Sequence, residues 1–223
     1  MFSCPLVALH AATGDHDLPV IGLVCLGLAM TARARPVAAG FVLVRPRSSS
    51  FVLGVAAALK QAAWPAVAVS VALLAVLTSA PAARRCALTA VATVLGVLIP
   101  VLLGPVGPSA LAQLAGFPLA ASQFAFPAAS PTPGVLLASA GSTGRIVGLA
   151  ILAAAILGIA AWLVSRPPRD LARAAAILAL AETIAVLLLP TSRFGYLAFP
   201  AVLLFVGRTC TPFTHSSSRA TPQ

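Results

Sequence analysis

The chain contains a single lysine, Lys60, and it lies where charge is hardest to keep. It sits in GVAAALKQAAWP, residues 54–65, within an apolar stretch that runs from residue 51 to residue 80. A charge at the centre of a bilayer costs roughly 2.5–3.5 kcal/mol on insertion scales. A lysine retained there needs a partner or a water-filled cavity. Pro65 lacks an N–H and breaks a helix at about that point, so the stretch predicts a broken membrane helix with Lys60, Gln61 and Trp64 at the break. Two further polar clusters could join it: Asp15, His16 and Asp17 ahead of one apolar run, and Arg193 and Tyr196 between two others. Lysine offers phosphate a point charge and arginine a planar fork of donors. Trp64 and Tyr196 suit sugar faces or the interfacial aromatic belt. Asp15 and Asp17 can accept from sugar hydroxyls, hold His16 or supply a base. The set as a whole fits a lipid-phosphate-linked sugar.

Each residue also has a plainer use. Lys60 can snorkel to the interface, Arg193 can anchor a loop, and His16 can be a polar loop residue. Asp15 and Asp17 suit the start of a helix, where a carboxylate caps open N–H groups and meets the positive end of the dipole. Glu182 lies inside the apolar run 171–189 and is either a functional carboxyl or a hydrogen-bonded packing residue. Trp162 reads as a helix-end anchor near the interface. The GSTG run at 141–144 lacks the spacing and lysine of a phosphate-binding loop.

Composition sets the class of protein that must position these residues. Of 223 residues, 60% are hydrophobic and 8% are charged. Soluble domains carry about 25% charged residues, so the chain reads as an integral membrane protein. Its apolar runs are rich in Ala, Leu and Val and end at Arg or Pro, which predicts an all-α polytopic bundle and not a barrel. The net charge of +10 comes almost wholly from arginine. Cytoplasmic loops collect arginine, and no basic soluble module with interleaved aromatics is present to bind nucleic acid. Cys4, Cys25, Cys86 and Cys210 show no CxxC pairing, so neither a metal site, a cofactor nor a disulfide framework is expected.

About five to seven membrane segments are predicted. Residues 1–13 are too short to span and lack the charged start of a signal peptide. Residues 18–32 are apolar and slightly short. A decapeptide then repeats, Arg35-Pro36 before Phe41-Val42-Leu43 and Arg45-Pro46 before Phe51-Val52-Leu53, which lengthens a basic loop over 33–50. The broken stretch 51–80 follows, with a basic turn at 81–85. Residues 86–103 can span. Residues 104–144 form a long Pro-, Gly- and Ser-rich connection whose Phe117, Phe124 and Phe126 favour a surface or the interface. Residues 146–164 and 171–189 span, and 197–207 form a short apolar helix. A single membrane domain over 1–208 and a disordered polar tail over 209–223 are expected.

The positive-inside rule puts Arg33 to Arg47, Arg84 and Arg85, Arg166 to Arg173 and Arg208 in the cytoplasm, with the C-terminal tail. The 104–144 loop then lies outside. For Arg47 and Arg84 both to be inside, residues 51–80 must enter the membrane and return, turning at Lys60–Pro65. That topology brings Asp15, His16, Asp17, Lys60, Gln61, Trp64, Arg193 and Tyr196 to one outer depth.

Four runs in this order resemble glycosyltransferase family 87: GDHDLPV at 14–20, GVAAALKQAAWP at 54–65, FPLAASQFAFPAASPTPGVLL at 117–137 and LLLPTSRFGYLAFPAVLL at 187–204. The resemblance extends over about residues 13–207. It implies a C-type, multi-helix enzyme of the cell envelope, as in actinobacteria. Such an enzyme moves a sugar, typically mannose, from a polyprenyl-phosphate carrier to a glycolipid or glycan acceptor outside the cytoplasm. Enzymes of this type place a catalytic aspartate in their first outer loop. The resemblance therefore implies that the chain corresponds to a C-terminal half, with Asp15 and Asp17 in a supporting motif and the catalytic base unassigned. Two other functions are compatible with the residues: a transporter or flippase for a small or lipid-linked substrate, and a truncated, non-catalytic membrane fragment.

Overall fold

The structure, a computed structural model, describes residues 17–33, 46–105, 107–109, 131–189 and 194–209. Among the described residues every regular element is helical. In chain order the principal helices are α1 (Asp17–Ala32), α2 (Pro46–Leu59), α3 (Trp64–Leu77), α4 (Ala80–Leu103), α5 (Pro133–Ser139), α6 (Ser142–Ser165), α7 (Leu171–Leu188) and α8 (Ala198–Thr209). Short 3-10 turns at Gln61–Ala63 and Phe194–Leu197 lead into α3 and α8.

Helices α4, α6 and α7 are long and apolar enough to cross a membrane. In α4 and α6 only 11% of the most apolar stretch is buried within the protein. Their large side chains, Leu95, Ile99, Ile151 and Leu157 among them, face outward. Contiguous apolar surface of this extent is rare on soluble monomers, and lipid is the solvent that suits it. Helix α7 is the most enclosed of the three.

One core joins α1, α2, α3, α7 and α8 through Val24, Leu28, Leu53, Leu73, Leu178 and Leu203, all essentially inaccessible. Lipid tails are as apolar as leucine, so close packing between helices, more than burial from water, must hold such a core. Small residues permit it: Ala56, Ala57, Ala66, Ala174 and Ala175 are buried at the contacts, and Gly207 of α8 lies against Ala172 and Ala175 of α7. Three threonine hydroxyls in the bundle bond within their own helices. Thr31 donates to the Gly27 carbonyl (2.8 Å), Thr93 to Thr89 (2.8 Å) and Thr183 to Ala179 (2.7 Å).

The predicted break is present. Helix α2 stops at Leu59, Lys60 is extended (φ −152°, ψ 133°), and the 3-10 turn hands over to α3 with Pro65 in its first turn, where no N–H is needed. The chain reverses there. Cys86 of α4 shares a hydrogen bond with Ser50 of α2 and also packs against Leu74 of α3. Gly54, one turn beyond Ser50, faces Ala90 and Thr93 of α4. So α2 runs alongside α4 in the same direction, and α3 returns antiparallel to it before the short turn at Thr78 and Ser79.

The bundle has two unlike ends. The α2–α3 turn, the first turn of α1, the end of α7 and the start of α8 border one cavity. At the other end Gly207 meets the start of α7, Arg166 closes α6 and Arg208 closes α8. Arg33 follows α1, Arg47 opens α2, and Arg84 and Arg85 lie in the first turns of α4. With Arg169 and Arg173, eight arginines collect away from the cavity. Arg145, in the first turn of α6, is the exception among the described residues.

Several sequence boundaries are corrected. The basic turn expected at 81–85 is helical, because Ser79 caps α4 and accepts from the Ala82 N–H, with Pro81 in the first turn. The loop expected over 33–50 gives way to helix at Pro46, with Ser49 and Ser50 buried. The 104–144 connection contains α5, capped by Thr132. Thr209, assigned to the tail, is the last residue of α8. The remainder of the tail and Phe117, Phe124 and Phe126 lie outside the described residues.

Candidate functional site

The cavity has a volume of about 540 Å³, within the usual range of small-ligand sites. Its wall is mostly apolar: Val20 and Ile21 from α1, Leu152 and Ile156 from α6, and Phe199 from α8. Four polar side chains enter it, those of Lys60, Gln61, Glu182 and Tyr196.

Lys60 is placed by the break. Its backbone N–H bonds to the Ala56 carbonyl (3.0 Å), and its own carbonyl accepts from Ala63 (3.0 Å). Its Nζ lies 5.0 Å from the centre of the Tyr196 ring, within reach of a cation–π contact. Tyr196 is delivered by the 3-10 turn that precedes α8. Gln61 is exposed and forms part of the rim.

Glu182 enters from α7, together with Ala185, Val186 and Leu189. The spacing 182, 185, 186, 189 is one helical face. Glu182 is 3% exposed, and its Oε1 has no hydrogen-bond partner among the described residues. Lys60 is close enough to act on it electrostatically. Buried polar atoms of this kind are few in folded proteins and demand an explanation. Ser70 Oγ is the other such atom among the described residues, and it is not in the cavity wall.

Of the residues expected at one depth, Lys60, Gln61 and Tyr196 come together in one cavity. Trp64 belongs to the same turn but is outside the cavity wall and half exposed. Its indole N–H donates to the Ala57 carbonyl (2.8 Å), one of the carbonyls left open where α2 ends. The tryptophan thereby staples the turn. Asp17 is the first residue of α1, the helix whose Val20 and Ile21 border the cavity. Asp15, His16 and Arg193 lie outside the described residues. Glu182, an acid inside a spanning run, joins Lys60, Gln61 and Tyr196 in the same cavity. Its signal was that of any acid in a spanning run, and only the fold brings it to Lys60. Among the described residues no group of three His, Cys, Asp or Glu side chains could hold a metal.

Compared with known proteins, the chain matches no family model, no curated protein and no solved structure.

Proposed function

We propose that the chain is a multi-pass membrane glycosyltransferase, or the C-terminal portion of one, that uses a polyprenyl-phosphate sugar. The observation that carries this reading is the cavity at the α2–α3 turn, with one lysine over a tyrosine ring inside a mostly apolar wall. An apolar wall suits an isoprenoid chain, a lysine suits its phosphate, and a tyrosine ring suits a sugar face. The resemblance of residues 13–207 to glycosyltransferase family 87 favours mannose as the sugar and a glycolipid or glycan as acceptor. Arg193, which follows α7 in sequence, would supply a second phosphate donor, with Asp15, His16 and Asp17 near the sugar.

In this reading the arginine-rich end of the bundle faces the cytoplasm of the plasma membrane. The cavity and the 104–144 segment face outward, and the C-terminal tail is inside. The shorter apolar helices α1 and α8 and the α2–α3 hairpin join the three long helices to make five to seven membrane segments.

The test is transfer from polyprenyl-phosphate mannose in membranes carrying the chain with whatever partner segment activity requires. Lys60→Met should abolish transfer while leaving the amount of folded protein unchanged. Unchanged transfer would overturn the phosphate role of Lys60.

A transporter or flippase for a lipid-linked substrate is favoured by a different detail. A broken helix with a charge at its break, facing a second ionisable group across a cavity, is also how transporters build midplane sites. Movement of a lipid-linked sugar across proteoliposomes without glycosyl transfer would favour it.

A further inference from the structure

We propose that Glu182 selects the sugar-bearing lipid over the bare polyprenyl phosphate, by accepting a hydrogen bond from a sugar hydroxyl. The inference rests on the lipid-phosphate reading of the cavity and adds the group that would recognise what the phosphate carries. Glu182 is on the cavity wall, 3% exposed, with Oε1 unpartnered among the described residues. A carboxyl oxygen that carries no proton accepts hydrogen bonds, and leaving it buried without a donor is destabilising. Its neighbours on the α7 face of the cavity are Ala185, Val186 and Leu189, which carry no side-chain donor, so the missing donor is expected to come from the ligand.

The chemistry of the two lipids separates them at this position. A bare polyprenyl monophosphate approaches two negative charges near neutral pH, because its second ionisation lies near pH 6. As the dianion it has no hydroxyl donor to offer Glu182. The sugar-bearing lipid is a phosphodiester with one negative charge, and its sugar carries several hydroxyl donors. With the phosphate at Lys60, the same cavity offers Glu182 to those hydroxyls. Glu182 lies about 9 Å along α7 from Leu188 at the helix end, six residues at 1.5 Å each. That places it deeper than the rim, where a head group held at Lys60 would extend.

The experiment uses the full chain in lipid nanodiscs and measures Kd for two probes, a polyprenyl monophosphate and the same lipid carrying mannose on its phosphate. Wild type should bind the mannose-bearing lipid about fivefold to tenfold tighter, the usual net weight of one hydrogen bond. Glu182→Leu should bring the two affinities within about twofold and leave bare-phosphate binding unchanged or tighter. Lys60→Met should weaken both. A preference kept in Glu182→Leu overturns this inference and leaves the lipid-phosphate reading standing. Unchanged affinities in Lys60→Met, or binding of neither lipid by wild type, overturn that reading itself. Should Glu182→Leu fail to fold, Glu182→Ala carries the test. It removes the acceptor, so it should narrow the ratio, and an unchanged ratio overturns the inference.

Discussion

The reversal at Lys60 can be tested through Cys86, which meets both arms of the hairpin. Ser50 shares a hydrogen bond with it from α2, and Leu74 packs on it from α3. Ser50 and Leu74 are 24 residues apart (74 − 50). In one continuous helix they would be separated by about 36 Å, at 1.5 Å per residue. A disulfide needs Cα atoms within roughly 7 Å, so no continuous helix brings both positions to Cys86. The experiment replaces Cys4, Cys25 and Cys210 with serine, then introduces Ser50→Cys or Leu74→Cys separately. After oxidation in intact membranes and denaturation, free thiols are counted by the gel shift from a maleimide-polyethylene glycol. Both variants should lose both thiols to an intramolecular bond, and a Leu59→Cys control should keep them. Bonding by Leu74→Cys with none by Ser50→Cys would refute the hairpin, since it would leave α2 elsewhere.

Packing and capping give sharper signs than magnitudes. A Cβ on Gly54 would lie 2.7 Å from Thr93 Cβ and 2.9 Å from the Ala90 carbonyl oxygen, so Gly54→Ala should destabilise by about 1–3 kcal/mol despite its better helix propensity. Gly96 and Gly158 have nothing within 4 Å of such an atom. Their alanine variants should instead stabilise by about 0.5–1 kcal/mol, and thermal melting in detergent reads all three. Asp170 accepts from the Arg173 N–H at 2.7 Å at the start of α7, and Ser79 accepts from the Ala82 N–H at 3.4 Å at the start of α4. Asp170→Ala should therefore destabilise more than Ser79→Ala, the first by about 1 kcal/mol and the second by less, read as the larger fall in melting temperature.

Much of this architecture was legible because lipid makes simple demands. Apolar length predicts α6, α7 and the end of α4 closely, while α4 starts earlier than expected, at Ala80, and the lysine-proline pair predicts the break at residues 60–65. The reversal there followed from arginine placement alone, since Arg47 and Arg84 could share a side only if the chain returned. Helix starts were less legible. Pro46, Pro81 and Pro133 open helices, and a proline reads equally as loop or as first turn until the cap is seen. The site was half legible. Lys60 and Tyr196 could be placed at one depth by topology, but depth is one coordinate of three. Trp64 shares the depth and points away. Glu182 was visible as an acid in a spanning run, and its pairing with the Lys60 cavity needed the rotation of α7, which a helix apolar on every face does not encode.

The position of the cavity follows from helix length. Ser50 is level with Cys86, and Gly54 with Ala90, so a residue of α2 is level with the α4 residue 36 positions later. Leu59, the end of α2, is therefore level with Leu95. Helix α4 continues eight residues to Leu103, about 12 Å further at 1.5 Å each. If α4 crosses the membrane, the hairpin turns well short of the far surface. The extended Lys60 and the 3-10 turn after it are then irregular backbone at membrane depth. Such backbone is tolerated only where protein covers it or a cavity faces it. Protein covers part of it here, through the Trp64 indole on the Ala57 carbonyl. The remainder borders the space that holds Lys60, Tyr196 and Glu182. A short hairpin thus obliges the fold to keep an opening at its tip, and the charged residues occupy the opening that the hairpin requires.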